Sequence, residues 1–331
     1  MSRVLQALLS FIVLLFLANA SCVSAKERLL VYTAVEPEFL PLYKEAFEKE
    51  NPDIEITYIR DSAGPISARL MAEKDNPKAD VILGLSAIAL ERLNLAGLLD
   101  SYSPRNASAI NSKMRARDFS WFGINAWGGS ICINTELLKK YKLPIPKTWD
   151  DLLDPIYKGR IVMPNPVASS TGFMFLMGWL QAKGEKVGWR YIEKLHENIL
   201  FYTASGARPA AMAAQGEIPI ALTSEAFVRP FMRFSIPVIT VEPQEGIAWD
   251  AEGCALPKGS PHPILAKRFL DFCASKPVAD IAASFSGISS IDRYSTETGK
   301  KLVARFLTLD FRQAAVEKKA ITDQWQSIAS R

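Results

Sequence analysis

Along the chain, short apolar runs alternate with stretches whose apolar positions recur every three or four residues, the patterns of buried strands and amphipathic helices in turn. Residues 28–33 (RLLVYT) read as a buried strand, and residues 39–50 carry Phe39, Leu42, Tyr43, Ala46 and Phe47 at helical spacing before Asn51-Pro52 stops the pattern. Residues 54–59 (IEITYI) alternate as a strand, 66–74 return to helix, 79–83 (ADVIL) to strand, and 87–96 to a helix closed by Gly97. Strands alternating with helices predict a mostly parallel α/β sheet covered on both faces.

A second unit of the same character starts near residue 121, where two apolar strand-like stretches meet at Gly128-Gly129. Its further elements are 148–153, 159–163, helices over 172–182 and 185–195, and a strand over 218–223. A strand over 236–241 and the segment 246–256 read as a return to the first unit, followed by helices over 263–275 and 277–285. The expected organisation is a first lobe over 26–120, a second over 121–245, a return to the first over 246–290, and a C-terminal helical segment over 291–331 of unassigned lobe. A sheet interrupted by a second sheet, with no flexible linker, suits two lobes hinged around a cleft. Ligands in such sheets settle beyond the carboxyl ends of strands.

Residues 1–25 carry Arg3, an uncharged run over 4–17 and Val23-Ser24-Ala25, the three parts of a secretory signal peptide cleaved after Ala25. Lipidation at Cys22 is the competing reading, although Asn19 stands where a lipoprotein signal usually has Leu. The apolar run is shorter than the roughly 20 residues a membrane span requires, so a protein exported to the periplasm is expected. Lys plus Arg number 39 against 35 Asp plus Glu, a net charge of +4, and no basic block suggests a nucleic-acid partner. His196 and His262 lie far apart and no CxxC pair occurs, so neither a metal site nor a cofactor is expected. Cys132, Cys254 and Cys273 read as buried thiols, with a Cys254–Cys273 disulfide as the alternative.

Three polar loops enter helices at strand ends. Asp61-Ser62-Ala63-Gly64 offers first-turn N–H groups, the Ser62 hydroxyl and a glycine that admits close backbone approach, which together could hold an oxyanion or serve only as a cap. Ser169-Ser170-Thr171-Gly172 has more hydroxyls than capping requires. Ser205-Gly206-Ala207-Arg208-Pro209 adds a guanidinium able to fork onto an anion or simply to face solvent. Three such loops point to a small anion, plausibly phosphoryl or phosphonyl. The carboxylates Glu36, Asp61 and Glu225 could balance an ammonium group on the same ligand, or lie at the surface. Tyr32, Trp127 and Trp249 could wall the cleft or sit in the core.

In order along residues 28–290, the segments YTAVEPE, IRDSAG, ADVILGLSA, YKGRIVMPNPVASSTGF, LHENILFYTASGARP and EGIAWD closely resemble periplasmic solute-binding proteins of ABC transporters for 2-aminoethylphosphonate. These form one branch of a ferric-ion, phosphosugar and aminophosphonate group. The resemblance implies an α/β, two-lobed type II periplasmic-binding-protein fold, a monomer, no catalysis and delivery of the ligand to an ABC permease in the inner membrane. The resemblance carries over Ser170, Thr171 and Gly172 as the anion loop and Glu36 after the first strand. With the loops read above, Ser62, Gly64, Ser170, Thr171, Gly172, Ser205 and Arg208 are expected to hold the phosphonate and Glu36 and Glu225 the amine, with Asp61 nearby. Glu225 and Ala226 stand where the ferric branch has adjacent tyrosines, which argues against iron. Ala63 replaces a common Thr, removing one hydroxyl contact. A phosphosugar carrier is the expected alternative; an exported hydrolase finds no nucleophile elbow or His partner.

Overall fold

The computed structural model describes residues 26–331, so the signal peptide and the Cys22 alternative lie outside the described residues. The chain opens with β1 (Glu27–Thr33), α1 (Leu40–Glu50), β2 (Ile54–Arg60), α2 (Ala63–Ala72), β3 (Val81–Ser86), α3 (Ala87–Leu95) and the short β4 (Leu99–Asp100). It continues through β5 (Phe122–Asn134), α4 (Thr135–Tyr141), β6 (Ile161–Pro164), α5 (Ser170–Lys183), α6 (Glu185–His196), β7 (Ile199–Thr203), α7 (Arg208–Ala214), β8 (Ile220–Ser224), α8 (Glu225–Arg233) and β9 (Val238–Val241). It closes with β10 (Trp249–Pro257), α9 (Pro263–Cys273), α10 (Lys276–Ser286), α11 (Glu297–Val303) and α12 (Phe311–Ala329).

The strands hydrogen-bond in the order β2-β1-β3-β10-β5-β8-β6-β7, with β4 on β10 and β9 on β5. β1 is parallel to β2 and β3, and β6 is parallel to β7 and β8, as βα alternation requires. β10 runs antiparallel between β3 and β5. β5 itself pairs with β10 over residues 122–128 and with β8 and β9 over 129–134, so one strand threads both halves of this two-lobed α/β fold.

The expected break at Gly128-Gly129 is therefore absent. Those glycines answer to packing: an added Cβ would fall 2.7 Å from Ile247 Cγ2 at Gly128 and 2.5 Å from Phe175 Cε1 at Gly129. Segment 148–153 is a 3-10 turn over Asp150–Leu153, and β7, unanticipated, is an edge strand with Leu200 and Phe201 exposed. α12 packs along α3 and also touches α5 and α6, so the C-terminal segment backs both halves of the sheet. Phe311 meets the Trp249 ring edge-on at 4.8 Å, and Trp325 meets Tyr202 at 4.9 Å. Cys132, Cys254 and Cys273 are buried free thiols, and burial pushes the Cys132 thiol up to about 12.

Candidate functional site

A cavity opens beyond the carboxyl ends of β1, β2, β3 and β6. Its lining includes Glu36, Arg60, Ser62, Ser86, Asn125, Trp127, Ser169, Ser170, Thr171, Ser205, Gly206 and Glu252. Phe39, Tyr43, Phe227 and Phe285 supply its apolar side.

The hydroxyls arrive at helix starts. Ser62 and Ser169 occupy the N-cap positions of α2 and α5, yet neither side chain makes a cap hydrogen bond. By contrast Ser86, Ser224 and Thr296 cap their helices, accepting from Ala89, Ala226 and Gly299 respectively. The first N–H groups of α2 and α5 are thus without side-chain caps where they meet the cavity, the arrangement that receives an anion. Thr171 is buried, and among the described residues its hydroxyl has no protein partner. Gly206 lies so close that an added Cβ would collide with Thr171 Oγ1, which locks the 205–206 turn against the first turn of α5.

The same lining carries two carboxylates. Glu36 accepts a hydrogen bond from Arg60 Nη2 at 2.8 Å, and Arg60 Nε reaches the Val35 carbonyl at 3.2 Å. Burial raises the Glu36 carboxyl above its ordinary value, against the lowering influence of Arg60. Glu252 on β10 accepts from Asn125 Nδ2 at 2.6 Å and is pushed up to about 7, chiefly by burial. The sequence alone did not single out this pair. Its signal was one of two acidic residues, Asp250 and Glu252, in the otherwise mainly apolar segment 249–257, the second facing an amide on the neighbouring strand.

The other expected site residues divide. Glu36, Ser62, Ser170, Thr171 and Ser205 line the cavity. Gly64 and Gly172 lie behind it as close-approach points: an added Cβ at Gly64 would be 3.3 Å from the Ala168 carbonyl oxygen, and at Gly172 only 2.5 Å from that of Pro164. Asp61 is exposed and accepts from the Ser62 N–H at 2.6 Å, a local turn bond. Arg208 is exposed and pairs with Glu217 at 3.7 Å, outside the lining, because its position at the start of α7 turns it to solvent. Arg208→Ala should leave ligand affinity unchanged within twofold in a calorimetric titration; a tenfold loss would return the guanidinium to the site. Glu225 also lies outside the lining. It is buried at the start of α8, accepts from the Gly128 N–H at 3.2 Å and from Ser224 Oγ at 3.1 Å, and stands 3.8 Å from Arg229. Burial pushes its carboxyl up to about 7.

Of the three aromatic candidates only Trp127 lines the cavity. Tyr32 donates to Glu73 at 2.9 Å, and Trp249 stacks on Phe306 at 5.0 Å.

Two half-sheets joined by shared strands carry a polar cavity of the kind that takes a small solute, and among the described residues no helix is long and apolar enough to cross a membrane. Residues 76–314 match the family of bacterial extracellular solute-binding proteins, and the chain belongs to that family. It is 28% identical over 330 residues to an uncharacterized protein of Haemophilus influenzae, covering 93% of this chain and 92% of the relative. A protein of Salmonella typhimurium provisionally named as a 2-aminoethylphosphonate-binding periplasmic protein is 29% identical over 178 residues, 54% of this chain and 50% of that one. The periplasmic binding protein AfuA of Actinobacillus pleuropneumoniae, solved with fructose-6-phosphate bound, is 27% identical, with a TM-score of 0.86 over 92% of this chain and 99% of that one. The chain is thus a solute-binding protein of the ABC-transporter type, with a small-molecule ligand and a permease partner.

Proposed function

We propose that the protein captures 2-aminoethylphosphonate in the periplasm and delivers it to an ABC permease in the inner membrane. The observation that carries this reading is that one cavity lining combines hydroxyls and uncapped helix starts from both halves of the sheet, α2 and α5, with the carboxylates Glu36 and Glu252. The uncapped N–H groups of α2 and α5, with Ser62, Ser170, Thr171 and Ser205, suit the three oxygens of a phosphonate, and a carboxylate in the same lining suits the ammonium. The chemistry is capture alone. Ligand contacts made from both lobes at once favour the closed arrangement over the open one, and that difference drives delivery.

A sugar phosphate is the second reading, favoured by the likeness to AfuA with its bound hexose phosphate. Isothermal titration of ligand-stripped protein with 2-aminoethylphosphonate, beside inorganic phosphate, glucose 6-phosphate and ferric citrate, separates the readings. Micromolar or tighter binding of the aminophosphonate alone is expected. Heat with glucose 6-phosphate and silence with the aminophosphonate would replace the ligand and keep the anion wall. In the same titration Thr171→Val should weaken binding by about 1–3 kcal/mol, since a buried acceptor or donor on the ligand would lose its partner.

A further inference from the structure

We infer that Glu252 and Asn125, on the two strands shared by the lobes, form an ammonium-reading subsite that requires the ligand to be positively charged at that end. This rests on the reading of the cavity as a solute site and goes beyond it by assigning charge selection to residues on β10 and β5.

The register places the pair. Glu252 stands opposite Ser86 on β3 and opposite Asn125 on β5, so the three side chains share one face of the sheet, and all three line the cavity. The β10–β5 register shifts between Glu252 and Gly253, and such a bulge re-aims the neighbouring side chain. Gly84, at φ +73°, clears the space beside it, for an added Cβ there would sit 3.2 Å from Glu252 Oε1.

The hydrogen bonding is half complete. Asn125 spends its amide on Glu252 Oε2 at 2.6 Å, and its own Oδ1, in a residue only 1% exposed, has no partner. Among the described residues Glu252 Oε1 accepts no hydrogen bond, and no lysine, arginine or histidine pairs with this carboxylate. Glu252 therefore lines the cavity with an acceptor for which the protein supplies no donor, beside the buried and unpartnered Asn125 Oδ1. A neutral hydroxyl would satisfy one lone pair and leave the charge uncompensated in a poorly solvated place. An ammonium group supplies three donors and the missing charge. Trp127 and the rings of Phe39, Tyr43, Phe227 and Phe285 line the same cavity and add faces that attract a cation. Arg60, the one cation in the lining, is already held by Glu36 and the Val35 carbonyl.

The test uses two matched pairs, 2-aminoethylphosphonate against ethylphosphonate and glucosamine 6-phosphate against glucose 6-phosphate, titrated into wild-type protein and Glu252→Gln. The aminated member of whichever pair binds should be preferred by wild type roughly 100-fold, the scale set by leaving a buried charge unpaired. Glu252→Gln should erase that preference from both sides, weakening the aminated member and strengthening the amine-free one, which no longer buries an unpaired carboxylate. A preference confined to the sugar pair discards the aminophosphonate and keeps this subsite. Equal affinity for both members in wild type, or an equal loss for both in the variant, overturns it. Silence with all four overturns both readings. The wild-type preference stands as a measurement even should the variant fail to fold, which its melting curve reports.

Discussion

Gly172→Ala is expected to destabilise the protein by about 3 kcal/mol, the upper part of the range for overpacking, and to weaken ligand binding roughly tenfold or more. Two effects oppose each other. Alanine is the better helix former by about 1 kcal/mol within a helix such as α5. However, the new methyl would fall 2.5 Å from the Pro164 carbonyl oxygen and 2.8 Å from the Asn165 carbonyl carbon. Those are backbone atoms at the end of β6, in a strand fixed by β7 and β8, so no rotamer change relieves the clash. α5 must move, and its first turn carries Ser170 and Thr171 away from the 205–206 turn. Scanning calorimetry should show a melting temperature lower by several degrees, and titration a weaker phosphonate. Gly97→Ala is the contrast: at φ +70° with nothing within 4 Å of an added Cβ, it strains the backbone alone and should spare affinity. Wild-type melting and wild-type affinity in Gly172→Ala would show that α5 tolerates displacement and that its start does not hold the ligand.

The same glycine shows where the sequence was informative. Local signals were sufficient for β1, α1, β2 and α3, because alternation, helical spacing and stop residues are properties of neighbouring positions. The hydroxyl-rich starts of α2 and α5 were legible for the same reason: serine and glycine before an apolar helix is a short-range pattern. What each hydroxyl does was not legible. Ser86 and Ser169 are both serines at an N-cap, yet Ser86 accepts from the Ala89 N–H while Ser169 makes no cap bond, and only packing decides between these states.

Charge was harder still. Glu225 and Glu252 are both carboxylates in the second half of the chain, and position after a strand favoured Glu225 as a ligand contact. The fold sets Glu225 against Gly128 of β5 and Glu252 in the cavity lining, because β8 ends with Ser224 opposite Gly129 while a bulge re-aims β10. Which face a residue presents depends on strand register between distant positions, 97 apart for Glu225 and Gly128 and 127 apart for Glu252 and Asn125, and a single sequence carries no direct record of it. Arg208 lies outside the lining for the converse reason, since a guanidinium at a helix start looks identical in sequence whether it meets ligand or water.

The stability of the ligand-free protein is expected to fall as pH rises from about 5 to 8, the reverse of a protein held together by ionised carboxylates. Asp250 is fully buried on β10, accepts from the Ala87 N–H at 2.9 Å and the Ala251 N–H at 2.8 Å, and leaves Oδ2 without a partner. Burial pushes its carboxyl up to about 7, and does the same to Glu225. A carboxyl whose folded value exceeds its unfolded one binds its proton more tightly in the native state. Its contribution is therefore fully present below the ordinary carboxylate range and is lost as pH climbs through about 7. At about 1.4 kcal/mol per unit of difference, either residue alone would move the melting temperature by several degrees. Glu252, also pushed up to about 7, adds to the trend within this window. Lys318, pushed down to about 8 by burial near Arg92, titrates at its upper edge, and the lowered carboxyls of Asp53, Asp118 and Asp151 titrate below it. Asp250→Asn keeps an acceptor for the Ala87 and Ala251 N–H groups and removes the titration. Its melting temperature should match wild type near pH 5 and exceed it near pH 8; parallel curves at all pH values would mean that Asp250 stays ionised throughout and that some other group compensates its charge.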